Sequence, residues 1–299
     1  MKGKGITASG LTAVSSRKLC ALLIIAATAT LFGAQDPSRV VRETATIDRS
    51  AQRPDLPTLY VVGDSTARSD TPLRGWGSEV GVFFDDTKIN VVNRAIGGRS
   101  SRTFITEGRW DKVLSELKSG DFVLVQFGHN DVADYKDPKA KGRPSIHGEG
   151  EETVEAIKSD LTTMETIHTF GWYMRKYALD TKAKGATPIL LSMVPHKDWQ
   201  DGKIVRKEQE TFVRWTRNAA QTTGALFIDS NEIIARGLER LGPEKVEPFF
   251  ADARTHSSSE GAKYNAAAVI VGMKRLKSNP LRRYLNKLTR HLPPTLTAR

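Results

Sequence analysis

Short apolar runs recur along this chain, and most are followed by a stretch long enough to form a helix. Leu59-Tyr60-Val61-Val62 comes first, then Ile89–Val92, Phe122–Phe127 and Pro188–Met193, with a shorter run at Ala225–Ile228. Such runs, rich in β-branched and aromatic residues, read as buried strands. Between them lie helical patterns at Ser78–Phe84, Trp110–Leu117, Glu152–Lys184 and Lys207–Thr222, and Glu260–Leu276 closes the series. A break in Glu152–Lys184 is expected near Gly171. Strands that alternate with helices are joined by crossovers rather than tight hairpins. The expected fold class is therefore α/β, with a parallel sheet covered by helices on both faces.

Length and charge frame this core. A chain of 299 residues can bury one large α/β domain. Lys2, Lys4, Arg17 and Lys18 precede an apolar stretch from Leu19 to Phe32, and small residues follow at Gly33 and Ala34. This reads as a signal peptide over residues 1–34, and it predicts a secreted or periplasmic protein. The stretch is short for a transmembrane helix, so no stable membrane insertion is expected after cleavage; a retained anchor is the alternative. Residues 35–57 read as a linker or irregular arm, 58–278 as the domain and 279–299 as a basic tail interrupted by Pro280, Pro293 and Pro294. The net charge is +11. Without the four leader cations it is +7, from 41 Lys and Arg against 34 Asp and Glu. That excess suits an acidic polymer. No recognised nucleic-acid motif accompanies it, so nucleic acid is not expected as a partner. The one cysteine, Cys20, lies in the leader, which leaves the mature chain without a disulfide. No Cys/His cluster has zinc-ligand spacing, and neither metal nor cofactor is expected.

The chemistry gathers where the strands end. Gly63-Asp64-Ser65 follows the first run, Gly97-Gly98 follows the second, and Gly128-His129-Asn130-Asp131 follows the third. In α/β sheets the carboxyl ends of the strands line the ligand crevice. Ester hydrolysis needs a nucleophile, a base to take its proton, and donors for the oxyanion. Ser65 is the candidate nucleophile and His256 the candidate base. The backbone N–H groups of Ser65 and Gly98 and the side-chain amide of Asn130 are the candidate donors. Each motif alone also has a structural use: Gly-Gly as a turn, Asn-Asp as a helix cap, His256 as a core histidine. The long polar segment Ala133–Glu151 follows Asn130 directly and is expected over the same edge.

These blocks resemble the SGNH (GDSL) hydrolase superfamily, and within it the rhamnogalacturonan acetylesterase-like carbohydrate esterases. The resemblance is carried by Val61–Thr66, Asn93–Ser101, Gln126–Asp131, and Thr255-His256 with Gly261-Ala262. It is supported between them by Gly75-Trp76-Gly77, Glu107-Gly108-Arg109 and His168–Tyr173. It runs from about Leu59 to Leu276. It implies a three-layer α/β/α sandwich, no metal, Ser65 as nucleophile, Gly98 and Asn130 in the oxyanion hole, and His256 as base. It also implies removal of acetyl groups from plant cell-wall polysaccharide. A broader lipase- or arylesterase-like activity is the alternative within enzymes.

One position departs from the family pattern. The family places an Asp three residues before the His, where this chain has Ala253; Asp252 lies four before. Three readings stay open at this level: the loop bends so that Asp252 reaches His256, a backbone carbonyl orients a Ser–His dyad, or the protein binds polysaccharide without turning it over. Trp199 in the loop His196–Arg206 is the candidate sugar-stacking face, with a buried anchor as the alternative. Arg99 and Arg102 are candidates for a uronic acid carboxylate, with structural ion pairs as the alternative. His129 and Asp131 are expected to shape the turn around Asn130. Trp76 is read as either site lining or core, and Trp172 and Tyr173 as core.

Overall fold

The computed structural model describes residues 53–157 and 163–297. The leader expected over residues 1–34 and most of the arm lie outside them. Five parallel strands form the central sheet: β1 (Thr58–Gly63), β2 (Asn90–Asn93), β3 (Phe122–Gln126), β6 (Thr187–Leu191) and β9 (Leu226–Ile228), in the order β2-β1-β3-β6-β9. The order reverses between β1 and β3, so the crevice above these two strands is the switch point where such sheets hold ligands.

Strand side chains alternate between two cores, as the two-residue period requires. Leu59, Val61, Leu124, Ile189 and Ile228 pack on one face, with α4 (Ser230–Leu241) and α5 (Ser259–Arg275). Tyr60, Val62, Val123, Val125 and Leu190 pack on the other, with α1 (Arg109–Glu116), α2 (Phe170–Ala183) and α3 (Lys207–Thr223). Both strand faces are buried, and this explains why the runs are continuously apolar. The α/β/α layering is the expected one. Trp76 and Trp110 are buried in these cores, and Trp76 donates to Gln126 Oε1 at 2.6 Å. Tyr173 is buried as expected, whereas Trp172, read as core, is half-buried and stacks on the His168 ring instead.

Three segments depart from the sequence reading. Glu152–Lys184 is helical only after the position near Gly171 where a break is expected. Its first half is an antiparallel hairpin, β4 (Thr153–Ile157) and β5 (Met164–His168), and α2 starts only at Phe170, capped by the Thr169 hydroxyl. Met164–His168 alternates exposed and buried residues, a two-residue period that a helical reading overlooks. Ser78–Phe84 is two short 3-10 turns, Trp76–Ser78 and Val80–Phe83. Helix α4 was not expected at all. Its signal is nevertheless present: Asp229 accepts from Glu232 N, and Ile233, Ile234 and Leu238 form its buried face. In the loop His196–Arg206, β7 (Trp199–Gln200) and β8 (Lys203–Ile204) form a small hairpin. The stretch read as a basic tail packs on the domain, with Leu281, Tyr284, Leu292 and Leu296 in the first core. Among the described residues, no helix is long and apolar enough to cross a membrane.

Candidate active site

Strand β1 delivers Ser65 to the crevice through a tight turn. The Asp64 carboxylate accepts from the Thr66 N–H and hydroxyl at 2.9 and 2.7 Å, and its carbonyl accepts from Ala67 and Arg68 N–H. This side-chain-to-backbone turn leaves Ser65 half-buried with its hydroxyl available. His256 Nε2 lies 2.8 Å from Ser65 Oγ.

The loop that carries His256 is built around Asp252. A backbone bridge between Phe250 and Ser257 closes it, and Ala251 N–H donates to the His256 carbonyl. Inside the loop, Asp252 Oδ1 accepts from the backbone N–H of Arg254, Thr255 and His256 at 2.9, 2.7 and 3.0 Å. The other oxygen, Oδ2, lies 2.5 Å from His256 Nδ1. Thus Asp252 reaches the ring from four residues upstream, while Ala253 sits exposed on the outside of the turn. Partial burial pushes the Asp252 carboxyl up, but the contacts from the His256 ring and the three backbone N–H groups outweigh it and hold the pKa well below the usual range. An ionised carboxylate only accepts, so the proton in this contact belongs to Nδ1. Nε2 is then left with its lone pair facing the Ser65 hydroxyl. The loop crosses the start of α5 closely. A Cβ at Gly261 would lie 1.9 Å from the Phe249 carbonyl oxygen, which restricts that position to glycine.

The donor side comes from β2 and β3. Ile96–Arg99 forms a turn, and Gly98 has φ +77°, a conformation that favours glycine. A Cβ at Gly97 would stand 3.7 Å from Ser65 Cβ, so this turn lies directly beside the nucleophile candidate. Asn130 is fixed at both ends: its Oδ1 accepts from Arg143 at 2.8 Å and its Nδ2 donates to the Arg99 carbonyl at 3.1 Å. One N–H of the amide remains for a ligand. Arg143 is a residue that sequence reasoning missed. It stands in the long loop expected over this edge, and only its contact with Asn130 reveals it.

Beneath Asn130 the loop is tied down through buried groups. Arg102 is not at a ligand: it is 1 % exposed, pairs with Glu165, and donates to the carbonyls of Pro144 and Gly142. Arg99 is held by Glu107 at 2.9 Å and donates to the Gly97 carbonyl. These contacts give it a role in the turn beside Ser65. Trp199 is half-buried and packs against the first core. The neighbouring Asp198 pairs with Arg254 at 2.7 Å, which pins this hairpin to the Asp252–His256 loop and places a counter-charge beside Arg254. His129 and Asp131 shape the Asn130 turn as expected. His129 Nε2–H donates to the Val194 carbonyl at 3.0 Å, and its Nδ1 stands 3.4 Å from Asp64 Oδ2.

Asp131 is fully buried and accepts from Ser101 Oγ, Ser145 Oγ and Ser101 N–H at 2.6, 2.9 and 3.1 Å. Burial outweighs these bonds and pushes its pKa up to about 6. A carboxyl raised in the folded state binds its proton more tightly there than in the unfolded chain. Stability from this group is therefore greatest below the unfolded value near 3.8 and falls as pH rises through about 6. The loss is about 3 kcal/mol for a shift of that size. Urea unfolding of Asp131→Asn and the parent between pH 4 and pH 7 is expected to show the variant gaining up to about 3 kcal/mol relative to the parent. A constant difference across that range would contradict the assignment. The oppositely shifted Asp252 is common to both proteins and cancels.

A family model, the GDSL-like Lipase/Acylhydrolase family, matches residues 61–264, a span that holds Ser65, Gly98, Asn130, Asp252 and His256. The chain belongs to this family. It is a carboxylic ester hydrolase. The rhamnogalacturonan acetylesterase of Emericella nidulans is 34% identical over 213 residues, covering 71% of this chain and 83% of that protein. The probable rhamnogalacturonan acetylesterase YesY of Bacillus subtilis is 30% identical over 226 residues, covering 73% and 93%. Among solved structures, YxiM of Bacillus subtilis superposes with a TM-score of 0.58 at 24% identity; the match covers 74% of this chain and 56% of that one. An acetylxylan esterase from Geobacillus stearothermophilus superposes with a TM-score of 0.51 at 21% identity, covering 72% and 93%. These two structures support the fold of this GDSL-like hydrolase.

Proposed function

We propose that this esterase removes acetyl groups from an acetylated plant cell-wall polysaccharide of the pectic rhamnogalacturonan type, working as a secreted or periplasmic enzyme. The observation that carries the reading is the His256 ring bridging Ser65 and Asp252 beside the Gly98 and Asn130 donors. The relatives named rhamnogalacturonan acetylesterase support the choice of substrate, and the charged, apolar-then-small pattern of residues 1–34 supports the location.

In this reading Ser65 Oγ attacks the acetyl carbonyl carbon while His256 Nε2 takes its proton. Asp252 holds the ring in the tautomer that can accept and stabilises the imidazolium that forms. The oxyanion is held by the Ser65 and Gly98 N–H groups and the free N–H of Asn130. Collapse expels the sugar oxygen, which takes the proton from His256, and leaves acetyl-Ser65. Water then attacks the acetyl carbon, His256 takes the water proton, and collapse returns it to Ser65 Oγ as acetate departs.

The test is a substrate panel. Acetate release from acetylated rhamnogalacturonan is expected to exceed that from acetylated xylan at least about tenfold in kcat/KM, the order one lost set of specific contacts gives. Aryl esters are expected to lose activity as the acyl chain lengthens beyond acetyl. Equal rates on butyryl and longer esters would move the assignment to a broad lipase- or arylesterase-like enzyme.

A further inference from the structure

A second feature lies at the opposite edge of the sheet. A cavity of about 1110 Å³ opens between Phe84–Lys88, which precede β2, and the segment 274–290 that follows α5. Helix α5 starts beside His256 and runs away from the site for 17 residues, roughly 25 Å at the helical rise. Lys274 lies at its far end. The cavity is therefore separate from the catalytic crevice, and its chain beyond residue 264 lies outside the family match.

The wall is built, not draped. Asn286 donates to the carbonyls of Val82 and Phe84 at 2.7 and 3.1 Å, and its backbone N–H donates to the Phe83 carbonyl. Asp85 N–H donates to the Tyr284 carbonyl, and Phe84 and Leu285 form a bridge. Leu281 and Tyr284 anchor the segment in the core. The turns that carry the basic side chains are thus held in place before any ligand arrives.

The charges on that wall are unbalanced. Lys88 pairs with Asp85 at 2.8 Å, and Lys274 donates to the Thr289 carbonyl. Lys277, Arg282, Lys287 and Arg290 also line the cavity, and among the described residues their side chains have neither an ion pair nor a hydrogen bond. One further carboxylate, Asp86, faces these four cations. The buried Nδ2 of Asn279 lies on the same wall with no partner, while its Oδ1 accepts from Leu281 N–H. Four clustered cations and an unsatisfied N–H donor select a ligand that brings several anionic acceptors. Four like charges on fixed turns repel one another, and a single small anion would neutralise only part of the set.

We propose that this cavity is an accessory site for the acidic backbone of a polysaccharide, taking the carboxylates of a uronate chain. The choice of a glycan over other polyanions rests on the substrate reading above. A chain with regularly spaced carboxylates engages several cations at once, and its second contact with the protein is then intramolecular. The cavity would hold the polymer while the catalytic edge works on its acetyl groups.

The test uses the full chain and unacetylated polygalacturonate, which binds but offers no ester. The parent is expected to bind it with an affinity that falls steeply between 50 and roughly 500 mM salt, as screening requires. The triple variant Lys277→Glu, Arg282→Glu, Arg290→Glu is expected to lose at least about tenfold in affinity, the scale on which linked contacts act. The milder triple Lys277→Gln, Arg282→Gln, Arg290→Gln, expected to unfold at the parent's temperature, separates lost charge from lost fold. On acetylated polymer the variants are expected to show a raised KM with kcat unchanged. On a small soluble acetyl ester they are expected to match the parent. No binding of polygalacturonate by the parent, or equal binding by the glutamine variant, overturns the proposal. Equal binding of single-stranded DNA by the parent replaces the glycan with a general polyanion and overturns it too. A parent that fails on every acetyl ester refutes the esterase reading instead, whatever the binding result.

Discussion

Replacing Ser65 with alanine is expected to lower turnover by roughly a millionfold at saturation, the order seen when a serine hydrolase loses its nucleophile. Ser65 Oγ is 2.8 Å from the ring nitrogen whose lone pair is free to take a proton, and among the described residues no other hydroxyl is bonded to that nitrogen. Alanine removes the attacking atom and leaves the Gly98 and Asn130 donors in place. Substrate affinity should therefore persist while acetate release falls to the level of background. The fold should persist as well: Ser65 is half-buried, and its hydroxyl's bond to His256 is not part of either core. Single-turnover assays with acetylated polymer, beside equilibrium binding of the same polymer, measure both. Residual turnover within a hundredfold of the parent would assign the nucleophile elsewhere.

Asp252→Asn is expected to lower kcat by about four orders of magnitude with KM little changed, the scale of the corresponding loss in serine proteases. The reason lies in how Asp252 divides its two oxygens. Oδ1 serves three backbone N–H groups, and Oδ2 serves the His256 ring. Asparagine has one oxygen, and the three backbone donors claim it. Its NH2 group then faces Nδ1, which must become the acceptor. The ring proton moves to Nε2 and points at Ser65, so the base can no longer take the serine proton. The loop itself should keep its shape, because the backbone bonds survive. Asp252→Ala removes those bonds too and should add a loss of thermal stability. Steady-state kinetics with a melting curve for each variant separates the two effects. A loss below about tenfold for Asp252→Asn would mean that a Ser–His dyad suffices, since the acid would then contribute little.

The positions of the strand-end motifs were legible because they depend on local text. Each apolar run is a strand, each strand ends at the same edge of a parallel sheet, and Ser65, Gly98 and Asn130 follow three adjacent strands. The hairpin at Thr153–His168 was not legible. Its two-residue alternation is short, and the adjoining text of α2 is strongly helical, so the two periods merge in a window of helical length. Arg102 shows a different failure. Beside a candidate oxyanion turn it resembles a ligand for carboxylates, but it is buried against Glu165, a residue 63 positions away that no local pattern connects to it. The segment after residue 279 reads as a basic tail by composition, and its few apolar residues, Leu281, Tyr284 and Leu292, nevertheless anchor it in the core.

The layered α/β class, the strand-end serine, the glycine turn and the asparagine follow from local stretches of sequence, because burial and turn chemistry act over a few residues. Whether the candidate base meets a carboxylate depends on the folded loop. Asp252 stands one residue from the family position, and its reach depends on a loop path set by three backbone N–H bonds and by the approach to Gly261. Only the tertiary structure gathered Lys277, Arg282, Lys287 and Arg290 around one cavity. Charge along a chain is a sum, whereas the field a ligand meets depends on which side chains the fold brings together and which of them it leaves without a counter-charge.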